Sequence, residues 1–330
     1  MPEKTRRRLP SPYNARESAG CLWRNVFGPS RRNPAGVEFL PRDAVLNEIA
    51  PRRRVAFLGD VMGLRGRRLE ISLELAEFVR DCDALVGNFE GTLTTARRRL
   101  PYDQTHDEKI VAGLRDLFPP AKTFLSVANN HAGDFARDVR AASMATLRDA
   151  GFTVFGTADE PGVLVAPELF VVAATQWNNR DCPEAAQWDA FAAAALPLGA
   201  LCAAFPHWGY ELECWPRRET VAAGRRLLEK FAAVVGSHSH TPQAVAAAPA
   251  VAGAPARLVA YSLGDFCFFG PRFAPYSFGE VVKIEVGPTP AGGLAVGRVQ
   301  WQFVQSVAAS EDVLRVELRD SIPFFESGIP

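Results

Sequence analysis

Four of the five histidines in this chain follow directly on short apolar runs, beside acids, amides and glycines. Val55–Gly59 runs into Asp60, and Ala84–Gly87 into Asn88-Phe89-Glu90-Gly91. Lys122–Ala128 runs into Asn129-Asn130-His131, and Ala200–Phe205 into Pro206-His207-Trp208-Gly209. Val234-Val235-Gly236 then leads into Ser237-His238-Ser239-His240. Any one of these histidines alone reads most simply as a hydrogen-bonded structural residue. Carboxylate, amide and imidazole gathered together, without thiolate, form a donor set for Mn, Fe or Zn. One or two such divalent ions would lower the pKa of a bound water and align it for attack on phosphorus.

Such residues need a rigid frame, and the periodicity supplies one. Strands are expected over Val55–Gly59, Ala84–Gly87, Lys122–Ala128, Phe152–Gly156, Leu169–Thr175 and Ala200–Phe205. Helical spacing links Leu69, Leu73, Ala76 and Val79, and helices are also expected over Arg137–Ala150 and Thr220–Val234. Late in the chain Val259–Leu263, Glu280–Val286 and Val296–Val304 read as strands, the last two joined as a hairpin through 287–293. Alternating strands and helices followed by consecutive strands imply a layered α/β fold, with function at the strand C-termini. Ala244–Ala256 is Ala/Pro-rich and reads as a surface loop.

Six segments in order resemble the successive motifs of bacterial capsule-synthesis (CapA, poly-γ-glutamate) proteins. They are Gly59-Asp60-Val61-Met62, Asn88-Phe89-Glu90-Gly91, Ser126–His131, His207-Trp208-Gly209-Tyr210-Glu211, Gly236–His240 and Tyr261–Phe266. That family is similar to calcineurin-like metallophosphoesterases, which implies a four-layer α/β/β/α sandwich with a metal centre between the sheets. The resemblance implies Asp60, Glu90, Asn130, His207, His238 and His240 as metal ligands, with Glu90 a possible bridge between two ions. It implies His131 as the catalytic acid that protonates a leaving oxygen or stabilises charge on the transferred group. Asn88 belongs to the second motif and is a candidate to support the ligands or meet the substrate. Glu211 is either a partner fixing a histidine tautomer or a plain surface carboxylate. Three positions depart from the pattern. Met62 stands where phosphoesterases at large carry His, which leaves one ion or two open. Glu90 stands where they use Asp. Asp265 stands where the family usually has Asn, and reads either as an acid near the ligands or as a loop cap.

Other residues are less constrained. Arg65 either meets an anionic substrate or is a surface arginine, and Asn178-Asn179-Arg180 follow a strand and face the same side. His106 reads as an exposed loop residue or a substitute for the missing first-motif histidine. Trp177, Trp208 and Trp215 either wall the pocket or pack the core.

The 330 residues are 48% hydrophobic and 22% charged, the range of an ordinary globular chain. Net charge is zero, so no bulk field favours nucleic acid or an acidic membrane, yet residues 1–54 hold 12 Lys/Arg against 5 Asp/Glu. Residues 1–54, including Arg6, Arg7, Arg8 and Pro10, therefore read as a basic arm, partly disordered or draped on the surface. Residues 55–310 read as the metallophosphoesterase-like domain and 311–330 as a tail. No apolar stretch qualifies as a signal peptide or membrane span. Six cysteines show no C-x-x-C spacing, which points to neither a thiolate metal site nor a redox motif, and Cys82, Cys202 and Cys267, inside apolar segments, read as reduced packing residues in a cytoplasmic protein. The expected function is a metal-dependent hydrolase acting on a phosphoester, with an anionic small molecule or polymer as substrate. The alternative is an accessory protein that binds or processes an anionic polymer without hydrolysis.

Overall fold

A computed structural model describes residues 11–248, 254–270 and 274–325. In chain order its strands are β1 (Asp43–Val45), β2 (Arg53–Val61), β3 (Arg68–Ile71), β4 (Ala84–Phe89), β5 (Thr92–Leu93) and β6 (Thr105–His106). They continue as β7 (Thr123–Ser126), β8 (Thr153–Phe155), β9 (Gly162–Ala166), β10 (Leu169–Thr175), β11 (Leu201–His207) and β12 (Ala233–Val235). The last six are β13 (Val245–Ala248), β14 (Arg257–Ala260), β15 (Asp265–Cys267), β16 (Phe278–Pro288), β17 (Leu294–Ala308) and β18 (Val313–Arg319). The helices are α1 (Ala15–Phe27), α2 (Leu73–Val79), α3 (Lys109–Leu117), α4 (Arg137–Asp149), α5 (Ala190–Ala193) and α6 (Arg218–Lys230).

The class is α/β, as expected. A large mixed sheet runs β3-β18-β17-β16-β2-β4-β7-β8, and a smaller one runs β13-β14-β12-β11-β10-β9. Alternation along β2 shows how they pack, because successive strand residues face opposite sides. Val55 and Phe57 share a core with Val171 and Ala203 of the small sheet. Ala56 and Leu58 turn the other way, against Leu75 of α2, Leu114 of α3 and Leu147 of α4. α5 packs on β10 and α6 on β12. The sheets thus meet over one apolar core, with helices covering both.

Several local expectations change. Leu69 lies on β3; the helix starts only at Leu73, where the Ser72 hydroxyl accepts the Leu75 amide at 3.3 Å. The helix expected to reach Val234 stops at Lys230, because 233–235 pair with β11 and β14. Within Ala244–Ala256, residues 245–248 form β13 against β14, and 249–253 lie outside the described residues. Residues 313–319, set apart as tail, form β18 between β17 and β3. The arm is largely structured from residue 11 on. Its helix α1 is capped at the start by Asn14, whose side chain accepts the Glu17 amide, and at the end by Gly28 with φ 95°. Phe39 packs 5.1 Å from Trp301. Residues 1–10, with Arg6, Arg7, Arg8 and Pro10, and residues 326–330 lie outside the described residues.

Candidate metal centre

The acids, amides and histidines at the strand ends arrive at one buried place. Asp60 sits near the end of β2, with Asn88 on the neighbouring β4 and Glu90 just beyond it. Asn129, Asn130 and His131 follow β7, His207 is the last residue of β11, and Ser237–His240 follow β12. Asp265 opens β15, which pairs in parallel with β2 so that Asp265 lies opposite Asp60. Glycine makes that approach feasible: a Cβ on Gly59 would stand 2.0 Å from the Gly264 carbonyl oxygen. His238 and His240 adopt left-handed backbone, φ 96° and 53°, a strained state held by its surroundings. One restraint is the His238 amide, which donates to Asp60 Oδ2 at 2.9 Å.

Asp60, Glu90, His207, His238, His240 and Asp265 are all buried. Asn88 Nδ2 donates to Asp60 Oδ1 at 2.7 Å and lies 3.2 Å from His207 Nδ1. His207 Nε2 is 2.7 Å from Asn130 Oδ1 and 3.1 Å from His238 Nδ1. His240 Nδ1 meets Asp265 Oδ1 at 2.8 Å. Glu90 Oε1 stands among three imidazole nitrogens, 3.7 Å from His131 Nε2 and 3.9 Å from Nε2 of His207 and of His240. No hydrogen bond satisfies it, nor does one satisfy Asp265 Oδ2, among the described residues.

Burial and crowding of charge distort the titration of the whole group. Burial, then the Asp60 charge, pushes the Glu90 carboxyl well above the usual range, and burial raises Asp60 as well. Burial and His240 lift and lower Asp265 respectively, leaving it at about 7. Burial, then the neighbouring imidazoles, holds His207 and His238 well below an ordinary histidine. Burial also opposes charge on His240, but the Asp265 and Glu90 carboxylates outweigh it and hold that imidazole well up.

These features fit a divalent cation. Buried carboxylate oxygens without partners are expensive, and a cation would satisfy them together with the surrounding imidazoles. Two donor groups have ligand atoms mutually within 4.8 Å: Asp60, Glu90 and His207, and Asp60, His240 and Asp265. Asp60 is common to both, whereas the resemblance implied Glu90 as the bridge. Asn130 and His238 stand beside these groups through His207. Asp265 is a buried member of one group rather than a plain loop cap.

His131 is set apart from the donor groups by a further acid that no motif marks. Its Nδ1 lies 2.6 Å from Asp134 Oδ2. Asp134 accepts in turn from Arg180 Nη1 at 2.9 Å, and Arg180 Nη2 reaches Asp103 at 2.8 Å. Asn179 approaches both the His131 ring and the Asn130 amide, at 3.3 Å and 3.2 Å. Asn178 instead donates to Gln187. The one sequence signal for Asp134 is its place three residues after His131.

Tyr13 is the other residue that motifs do not reveal, because the arm carries none. Its hydroxyl lies 2.6 Å from His238 Nε2 and accepts the Glu211 amide at 3.1 Å. Trp177 and Tyr210 pack around its ring at 5.2 and 5.8 Å, so Trp177 does wall this side. Trp208 is buried in the core, and Trp215 packs against Phe39. The Glu211 carboxylate meets Cys21 and Tyr276 rather than a histidine. His106 is buried, not exposed: its Nε2 is 3.0 Å from the Glu90 carbonyl, and burial lowers its pKa to about 4. It supports the Glu90 turn and does not stand among the donor groups. Arg65 is exposed, with φ 52°, and Met62 is buried with its amide donating to the Cys267 carbonyl.

Among solved structures the chain is similar to a hypothetical protein from Thermus thermophilus, at 16% identity and TM-score 0.44, over 75% of this chain and 99% of that one. It is also similar to a candidate 5'-nucleotidase from Staphylococcus aureus, at 14% identity and TM-score 0.44, over 75% of this chain and 54% of that one. No curated protein matches it. Among the described residues no helix is long and apolar enough to cross a membrane. Over residues 170–269, which hold His207, His238, His240 and Asp265, the chain matches the family model "Bacterial capsule synthesis protein PGA_cap".

Proposed function

We propose that this chain is a metal-dependent hydrolase acting on a phosphoester, with Asp60, Glu90, Asn130, His207, His238, His240 and Asp265 around one or two Mn, Fe or Zn ions. The observation that carries it is Glu90 Oε1, buried without a partner among three imidazole nitrogens. A bound cation would supply Lewis acidity and a water of lowered pKa. The protein's own residues do the rest. Asn88 orients Asp60 through the 2.7 Å bond, and the His238 amide fixes the other carboxylate oxygen. Asp134 holds His131 by Nδ1, which leaves Nε2 facing the centre to give a proton to the leaving oxygen. Arg180 keeps Asp134 in place. Residues 55–310 supply the donors and 1–54 act as an arm that reaches in through Tyr13. The six free cysteines support a reducing, cytoplasmic setting.

The test is hydrolysis of a panel of phosphomonoesters and phosphodiesters with Mn²⁺ and with chelator, for wild type and His131→Ala. Chelator-sensitive turnover that falls at least tenfold in the variant, about 1.4 kcal/mol in the barrier, is expected. Tight metal binding without turnover on any ester would sink phosphoester hydrolysis and bring forward the binding or processing of an anionic polymer.

A further inference from the structure

Helix α1 is amphipathic in the inverted sense. Leu22, Trp23, Val26 and Phe27 are 64–67% exposed. With Ala15 and Ala19, also exposed, they recur at the spacing of one helical stripe. Trp23 and Phe27 stack with ring centroids 4.0 Å apart. The polar stripe faces the protein. Glu17 bonds Arg217 and Arg24, Cys21 meets Glu211, the Arg24 side chain donates to the Glu211 carbonyl, and Asn25 accepts from Tyr276. A helix anchored by its polar side, with large apolar side chains turned outward, presents a surface that calls for a cover.

The charge of the segment that carries the stripe selects the cover. Between residues 11 and 38 the exposed charged side chains are Arg16, Arg31, Arg32 and Glu38, a positive excess, and Lys4, Arg6, Arg7 and Arg8 precede them in the sequence. A symmetric contact between two copies would set these arginines near their own counterparts. A single 13-residue helix face is also well short of the roughly 800 Å² per partner of a stable interface. Aromatic and aliphatic side chains on a segment with an excess of exposed arginines match an anionic lipid surface, where the rings enter the headgroup boundary and the guanidinium groups meet phosphate. We infer that α1 docks the protein on anionic membrane surfaces through Leu22, Trp23, Val26 and Phe27, with Arg16, Arg31 and Arg32 as its electrostatic rim. The inference is independent of the phosphoester reading, since none of these side chains enters the candidate metal centre.

The test is co-sedimentation of the full chain with phosphatidylglycerol-containing vesicles and with pure phosphatidylcholine vesicles at low ionic strength, with tryptophan emission followed in parallel. The protein is expected to sediment with the anionic vesicles only, with a blue shift in emission. Trp23→Ser/Phe27→Ser should weaken vesicle binding at least tenfold and lose the shift, and Arg31→Glu/Arg32→Glu should weaken binding at least tenfold. Both variants should keep the wild-type circular dichroism, because every substituted side chain is exposed. Failure to sediment with anionic vesicles, or unchanged binding of Trp23→Ser/Phe27→Ser, would overturn the inference. So would a dimer in sedimentation velocity that this pair abolishes while vesicles leave the protein free, which would make a second copy the cover.

Discussion

The Nδ1 atom of His131 lies 2.6 Å from Oδ2 of Asp134, and both residues are buried. The contact fixes which ring nitrogen turns to the carboxylate and which to the centre, the role that outer partners of site histidines commonly play. Asp134→Asn keeps the shape and removes the charge. It is expected to lower kcat by roughly ten- to a hundredfold with KM nearly unchanged. Steady-state kinetics on the ester found active above would check it, and an unchanged kcat would remove His131 from proton transfer.

Metal binding should release protons. Glu90 and His240 both have pKa values held well above their usual ranges, and each must be deprotonated to act as a ligand. Affinity for Mn²⁺ should therefore rise with pH, with about one or more protons released per ion. Titration calorimetry in buffers of different ionisation enthalpy measures that number. Chelator should also lower the thermal midpoint, because an ion bound only to the folded state stabilises it. Zero protons and no thermal change would count against the site.

Tyr13→Phe removes one hydroxyl that serves both His238 Nε2 and the Glu211 amide. Losing these bonds is expected to cost about 1–2 kcal/mol in urea unfolding. Hydrogen exchange at the Glu211 amide should accelerate at the same time. Wild-type exchange in the variant would mean that the arm does not seat through this contact.

Glu280 is buried between the sheets on β16, with neither carboxylate oxygen hydrogen-bonded among the described residues. Burial drives its pKa well above the usual range, with Arg42 opposing. A raised folded-state pKa means that the unfolded chain gives up this proton first as pH rises past about 4.3. Stability attributable to Glu280 therefore falls with increasing pH until the folded pKa is reached, and is unaffected below about pH 4. Glu280→Gln should gain about 1–3 kcal/mol over wild type at neutral pH, a difference that vanishes in acid. Denaturant unfolding at several pH values checks the sign; a difference that grows toward acid would refute the burial account.

Gly59→Ala tests the approach of β2 to the turn before β15. The added Cβ would meet the Gly264 carbonyl oxygen at 2.0 Å. Backbone must move to relieve it, and overpacking of this kind costs about 1–3 kcal/mol. Because Asp60 is next in the chain, Mn²⁺ affinity should fall together with stability. Stability and affinity both unchanged would show that the turn yields freely.

The convergence of the candidate site residues was legible in the chain because each follows an apolar run that makes a buried strand, and strand ends in layered α/β proteins converge on one edge. Asp60, Glu90, Asn130, His207, His238 and His240 come together for that reason. The partnerships around them were not legible, since periodicity reports only on neighbours a few residues apart. Tyr13 and His238 are 225 residues apart in sequence, and Arg180 reaches back to Asp103 and Asp134. Leu69 carried a helical spacing that cross-strand pairing with β18 overrode, and β13 was hidden by alanines whose weak strand preference is settled by pairing with β14. His106 belonged to no motif and read as an exposed loop residue or a substitute for the missing histidine, but the Glu90 carbonyl offered its ring a buried partner. In α1 the apolar stripe was present in the sequence, yet only the packed structure decided that it would face outward, because Glu17 and Arg24 find charged partners on the body and the apolar side finds none there among the described residues.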